Sequence, residues 1–157
     1  MSRIYFDTEF EGLFENAGLI SIGLTNESGS QTFYAELSDS YNIKNCSSFC
    51  KSVVLPLLQN DNTQMSLEEL KVKLFTWLEQ QGSNTTLICD SPRDIKQMNE
   101  IFSKGLPQNC RYQLLSFWNI WKRRIANYNR NLYTKYCLRD HHALDDAIVN
   151  RIIFEGK

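Results

Sequence analysis

Met1-Ser-Arg-Ile-Tyr-Phe-Asp-Thr-Glu-Phe-Glu-Gly12 is the stretch whose reading decides the fold. Ile4, Tyr5 and Phe6 are β-branched or aromatic and follow one another without a breaker, which predicts a buried strand near the start of the chain. Asp7 and Glu9 come next, two residues apart. Alternate side chains of an extended backbone share a face, so both carboxylates point the same way. Two like charges held close and partly dry repel each other and are costly to desolvate. A hard divalent cation such as Mg²⁺ removes both penalties, because it accepts one or two carboxylates and fills its shell with water and substrate phosphate oxygens. An isolated Asp-x-Glu is more often a pair of solvated acids in a turn, so the remaining sequence has to decide.

The 157 residues fit one domain spanning 1–157, with 42% hydrophobic and 22% charged residues as in a soluble globular protein. No apolar run approaches the ~20 residues that a membrane span needs. The first residues lack the sections of a signal peptide, so the expected location is cytoplasmic, with no membrane partner. Five scattered cysteines (Cys46, Cys50, Cys89, Cys110, Cys137) suit reduced thiols rather than a disulfide framework. Cys46 and Cys50 have no second Cys/His pair to complete a structural zinc site. A net charge of −1 leaves no global pull on a polyanion. Local residues and bound metal would have to supply it.

Further strands are predicted at Leu19–Thr25 and Gln31–Leu37, joined by the turn-forming Asn26–Ser30 as an antiparallel hairpin, and at Thr85–Cys89 and Arg111–Leu115. Phe49, Val53, Val54, Leu57 and Leu58 have helical spacing, but Pro56 interrupts that run. Ser66-Leu-Glu-Glu69 is a capping box ahead of a stripe of Leu67, Leu70, Leu74, Trp77 and Leu78. Helices are also expected over Ile95–Phe102, over Ser116–Asn131 with Phe117, Ile120, Trp121 and Ile125 inward, and from near His141 through Ile152. This order predicts an α/β fold, a five-stranded mixed sheet flanked by helices. Ligands of such sheets collect at the carboxyl ends of strands, where Asp7, Glu9 and the Asp90–Asp94 turn fall.

Three segments thus place acids or histidine after apolar elements: Asp7-Thr-Glu9, Asp90 to Asp94, and His141-His-Ala-Leu-Asp-Asp-Ala147. The set resembles the DEDDh family of 3′-to-5′ exonucleases in the ribonuclease H-like superfamily. Its motifs are Asp-x-Glu, a middle Asp and His-x-Ala-x-x-Asp-Ala. The likeness is greatest to small stand-alone members described as mycobacterial-type 3′-to-5′ exoribonucleases, which share Asp-Thr-Glu-Phe and the Leu19-Ile-Ser-Ile-Gly23 strand. The middle motif departs from the family, because Cys89-Asp-Ser-Pro-Arg-Asp94 lacks the Asn or aromatic residue usual before that Asp. Asp94 is the assigned residue because it opens the helix; Asp90 is the alternative, or else a helix cap ahead of Pro92.

The resemblance implies hydrolysis of phosphodiesters at the 3′ end of single-stranded nucleic acid, RNA favoured over DNA, with two Mg²⁺ (or Mn²⁺) ions. Asp7 would bridge both ions, Glu9 and Asp146 would complete the first, and Asp94 would hold the second. His141 would be the general base, an imidazole being able to accept a proton at neutral pH. His142 and Asp146 are four apart and would share a helix face. His141 meets Asp146 only if it sits in the turn before the helix. Helix periodicity leaves Asp145 and Asp146 undecided, and only the resemblance selects Asp146. Thr8, Phe10, Glu11 and Gly12 are the expected substrate edge: Phe10 is suited to stacking on a base or to core packing, and Gly12 to close approach of backbone to sugar. The basic and aromatic run from Lys122 to Arg139 is suited to guiding a single strand, or to forming a solvated helix face. The family also implies a homodimer. Competing readings are a catalytically idle nucleic-acid-binding or regulatory module of the same fold, and an endonuclease.

Overall fold

Ile4, Tyr5 and Phe6 are fully buried in β1 (Ser2–Phe10), which runs through the middle of the sheet. The structure, a computed structural model, describes residues 1–115, 121 and 126–156. On one side of β1 lies antiparallel β2 (Leu19–Asn26), hairpinned to β3 (Thr32–Leu37), whose outer neighbour is the parallel two-residue β4 (Gln64–Met65). On the other side β5 (Thr85–Cys89) and β6 (Cys110–Leu114) run parallel to β1. The order is β4-β3-β2-β1-β5-β6, a six-stranded mixed sheet flanked by helices. The expected count of five is therefore corrected to six. Gln64–Met65 is too short to carry an alternation that sequence could reveal.

The two faces of β1 do different jobs. Ile4 and Phe6 join Ile22, Leu24 and Leu87 in the main apolar core, under α1 (Leu67–Glu79) and α2 (Pro92–Ile101). Leu70, Leu74 and Leu78 are fully buried there, as their spacing predicts. The capping box forms in full: Ser66 Oγ accepts from the Glu69 N–H at 3.2 Å, and Glu69 Oε2 accepts from the Ser66 N–H at 2.9 Å. At α2 the cap is Ser91, which accepts from the Arg93 N–H, with Pro92 in the first turn. Asp90 lies one residue too early for the capping role considered from sequence.

The opposite face carries α4 (Ala143–Glu155), which packs on β1 and β2. Its far end is tied down where Arg3 donates to Glu155 from Nε at 2.7 Å and from Nη2 at 3.0 Å, with the Tyr5 hydroxyl donating to the same carboxylate. α3 (Ala126–Tyr136) lays Leu132 and Tyr133 against α4. The run Phe49–Leu58 forms a π-helical turn, Cys50–Val54, then a 3₁₀ turn, Leu55–Leu57, at Pro56. Cys50 and Val54 are its buried residues, while Phe49 is 50% exposed. Trp121, expected inward, is 45% exposed. Phe117, Ile120 and Ile125 lie outside the described residues.

Candidate functional site

Side-chain alternation sends Asp7 and Glu9 to the α4 face of β1 and Thr8 to the α2 face. Asp7 pairs across the ladder with Gly23 of β2, and Glu9 with Ser21. Gly23 is the residue on which α4 rests: a Cβ there would lie 2.2 Å from both the Cα and the N of Leu144. With hydrogen in that place, the first turn of α4 comes down beside the two acids. His141 occupies the turn before the helix with φ 65°, the left-handed conformation that few residues with a Cβ adopt. That turn meets the condition set by the five-residue separation. Donor atoms of Glu9, His141 and Asp146 lie within 4.8 Å of one another.

The neighbouring residues face elsewhere. Asp145 Oδ2 accepts from the Arg139 N–H at 2.8 Å and from Arg139 Nε at 2.7 Å. His142 is 2% exposed and stacks on the Tyr34 ring with centroids 4.6 Å apart, its Nδ1 lying 3.3 Å from the Arg139 guanidinium. Burial lowers its pKa and so favours the neutral imidazole; Asp145 pulls the other way and Arg139 adds to the lowering. Arg139 and Tyr34 thus engage Asp145 and His142, whereas His141 and Asp146 lie with Glu9.

The middle motif reaches the site from the parallel neighbour. β5 ends at Cys89 beside β1, Asp90 follows directly, and Asp94 stands in the first turn of α2. Donor atoms of Asp7, Asp90 and Asp94 lie within 4.8 Å of one another. Sequence treats Asp90 and Asp94 as alternatives, whereas the fold brings both to Asp7. Asp94 is 2% exposed, and its Oδ1 accepts from Thr8 Oγ1 at 2.6 Å and from the Thr8 N–H at 3.2 Å. Asp146 is 3% exposed and its Oδ1 accepts from the Tyr133 hydroxyl.

Asp7 sits where these acids converge. Burial raises its pKa well above the ordinary carboxyl value, and Asp94, Asp146, Asp90 and Glu9 raise it further, in that order. A divalent cation would offset every one of these contributions. Two oxygen-rich clusters of donors, one containing Asp7 and the other carrying the Glu9 and Asp146 charges that act on it, fit hard cations.

A cavity of about 470 Å³ opens beside Glu9 and His141, lined also by Thr8, Phe10, Gly12, Leu13, Ser47, Phe49, Cys50 and Val54. The Phe49 ring meets His141 edge-on at 4.8 Å between centroids. Glu11 is 4% exposed, and its carboxylate accepts from the Asn42 N–H at 2.6 Å and the Gly18 N–H at 2.9 Å. Its side chain thus fastens the cavity wall from within the protein. A Cβ on Gly12 would meet the Phe14 ring at 2.9 Å and Ser47 Cβ at 3.3 Å, so the absent side chain is used in packing.

The basic run divides. Arg139 is engaged by Asp145, Arg130, Lys135 and Tyr136 are exposed on α3, and residues 122–124 lie outside the described residues. Sequence missed the engagement of Tyr133 with Asp146 and the placement of Ser47, Phe49, Cys50 and Val54. Their separations from the site residues carry no strand or helix period. All five cysteines are free thiols. Among the described residues no helix is long and apolar enough to cross a membrane. No protein-family model matches the chain, and no curated protein matches its sequence.

Proposed function

We propose that this chain is a metal-dependent 3′-to-5′ exonuclease of ribonuclease H-like fold, acting on single-stranded nucleic acid, with RNA favoured. The observation that carries this reading is the convergence of Asp7, Glu9, Asp90, Asp94, Asp146 and His141 from three distant segments into two clusters of donors. A structural role alone gives no reason to gather four acids around a buried fifth, which they push toward its neutral form. Two Mg²⁺ or Mn²⁺ ions, when bound, supply Lewis acidity that activates the attacking water and steadies the leaving oxygen.

Glu9 and Asp146 would hold one ion, Asp94 with Asp90 the other, and Asp7 both. An imidazole nitrogen of His141 takes the proton of the attacking water. The water oxygen bonds to phosphorus, the bond from phosphorus to the 3′ oxygen of the preceding nucleotide breaks, and that oxygen is released protonated. The product is a nucleoside 5′-monophosphate. The cavity beside Glu9 presents Phe10, Leu13 and Phe49 as apolar faces for the terminal base. A second copy of the chain is the proposed partner in a homodimer.

Incubating 5′-labelled RNA and DNA single strands with Mg²⁺ or Mn²⁺ tests the reading. Wild type is expected to give a ladder shortening from the 3′ end, and Asp7→Ala none. Absence of turnover on either polymer with either ion would overturn it in favour of a binding module, and a single internal cut would favour an endonuclease.

A further inference from the structure

We infer that Tyr133 is a positioning residue for one of the two cation positions, which rests on the proposal that the acids hold divalent cations. Tyr133 stands on α3, a different element from every donor in the two clusters. Its ring is packed in the apolar contact between α3 and α4 with Leu132, Val149, Ile152 and Ile153. Its hydroxyl leaves that contact and donates to Oδ1 of Asp146.

A carboxylate has two oxygens with roughly four acceptor directions. A phenol on a packed helix thus holds a carboxylate that itself brings a donor atom within 4.8 Å of donors on Glu9 and His141. Both partners are buried, Tyr133 at 8% and Asp146 at 3% exposure, so the bond is made where water competes little. Asp94 is treated in the same way on the other side of the sheet, where Thr8 Oγ1 engages its Oδ1 at 2.6 Å. Each cluster therefore has one carboxylate oriented by a hydroxyl from a separate element. Hydroxyl and carbonyl groups behind a metal ligand typically change metal affinity by about 10–100-fold when removed.

Tyr133→Phe keeps the ring and its packing and removes only the hydroxyl. Mn²⁺ titrated calorimetrically into the metal-free full chain is expected to bind wild type in two steps, and Tyr133→Phe with one step about tenfold weaker and the other unchanged. Leu132→Ala loosens the same helix contact without touching the hydroxyl, so it is expected to lower Tm while leaving both binding steps as in wild type. Two wild-type steps with unchanged constants in Tyr133→Phe would overturn this assignment alone. An equal loss of affinity in Leu132→Ala would also overturn it, showing that helix packing rather than the hydroxyl sets the site. Absence of Mn²⁺ binding by wild type would overturn the cation reading and this assignment with it.

Discussion

Leu144 lies so close to Gly23 that a Cβ on the glycine would fall 2.2 Å from the leucine's Cα and N. The contact is backbone on backbone, so no rotamer change can relieve it. Because Gly23 pairs with Asp7, the same contact decides how near the first turn of α4 comes to the acids. Gly23→Ala is expected to cost about 3 kcal/mol or more, at the upper end for overpacking, and to weaken cation binding by moving Asp146 and His141. Gly82→Ala is the comparison: φ is 105° but nothing lies within 4 Å of the added carbon, so stability alone should fall. Thermal melts with and without Mn²⁺ check both. A Gly23→Ala protein that binds Mn²⁺ as wild type does would remove the glycine from the site's construction.

Metal removal should be felt through Asp7. Its folded-state pKa is raised above the unfolded value, so its contribution favours the metal-free fold below about pH 4 and is lost as pH rises through the folded value. At neutral pH burial and the neighbouring acids thus work against the charged form of Asp7 until a cation arrives. Asp7→Asn is expected to melt higher than wild type at pH 7 without metal, to lose that advantage as the pH falls toward 4, and to have no nuclease activity. Wild type at a Mg²⁺ concentration 100-fold above Kd should gain about 2.7 kcal/mol, and Asp7→Asn much less. The readout is the difference between the two proteins, which cancels His142, whose lowered pKa works in the opposite sense. Equal metal-free melting of both proteins at pH 7 would show that the acids do not strain the fold.

What the sequence disclosed was the local part of this construction. The run Ile4 to Phe6, the alternation of Asp7 and Glu9, and the Ser66–Glu69 cap each depend on residues a few positions apart, and all form as read. The pairing of Gln64–Met65 with β3 does not, because two residues carry no period and the strand exists only through Glu36 and Leu37 beside it. Asp145 and Asp146 both have apolar helical neighbours. What separates them is Arg139, which takes Asp145 and turns it from the cluster. The placement of His141 could be stated only as a condition, since neither its positive φ nor the docking of α4 on Gly23 leaves a periodic signal in the sequence. Glu11, grouped from sequence with the substrate edge, is committed by two backbone N–H groups, from Gly18 in the next loop and from Asn42 beyond β3.

Thr8 gives a second handle on the middle motif. Thr8→Val keeps size and branching and retains the backbone N–H on Asp94, removing only the 2.6 Å hydroxyl bond. A hydrogen bond to a charged group contributes about 1.5–3 kcal/mol, so Tm should fall accordingly. The calorimetric step attributed to Asp7, Asp90 and Asp94 should weaken about tenfold, with activity recovered at higher Mg²⁺. Activity lost at every Mg²⁺ concentration would assign Thr8 to substrate contact instead.

The last prediction separates a clamp from a ligand contact at Glu11. Two N–H groups, from Gly18 and Asn42, donate to opposite oxygens of its carboxylate, and the Glu11 carbonyl accepts from the Ser47 N–H at 2.8 Å. The residue therefore joins the loop after β1 to the segment carrying Ser47 and Phe49, which are two walls of the cavity. In Glu11→Gln one acceptor oxygen becomes an NH₂ group facing an N–H donor, costing about 1.5–3 kcal/mol with no substrate present. The loosened wall should raise KM severalfold while kcat holds, since none of the cation donors has moved. A residue that touched the nucleotide directly would also raise KM, but it would leave the melting temperature of the free protein where it was. Unchanged Tm in Glu11→Gln would therefore return Glu11 to the substrate edge.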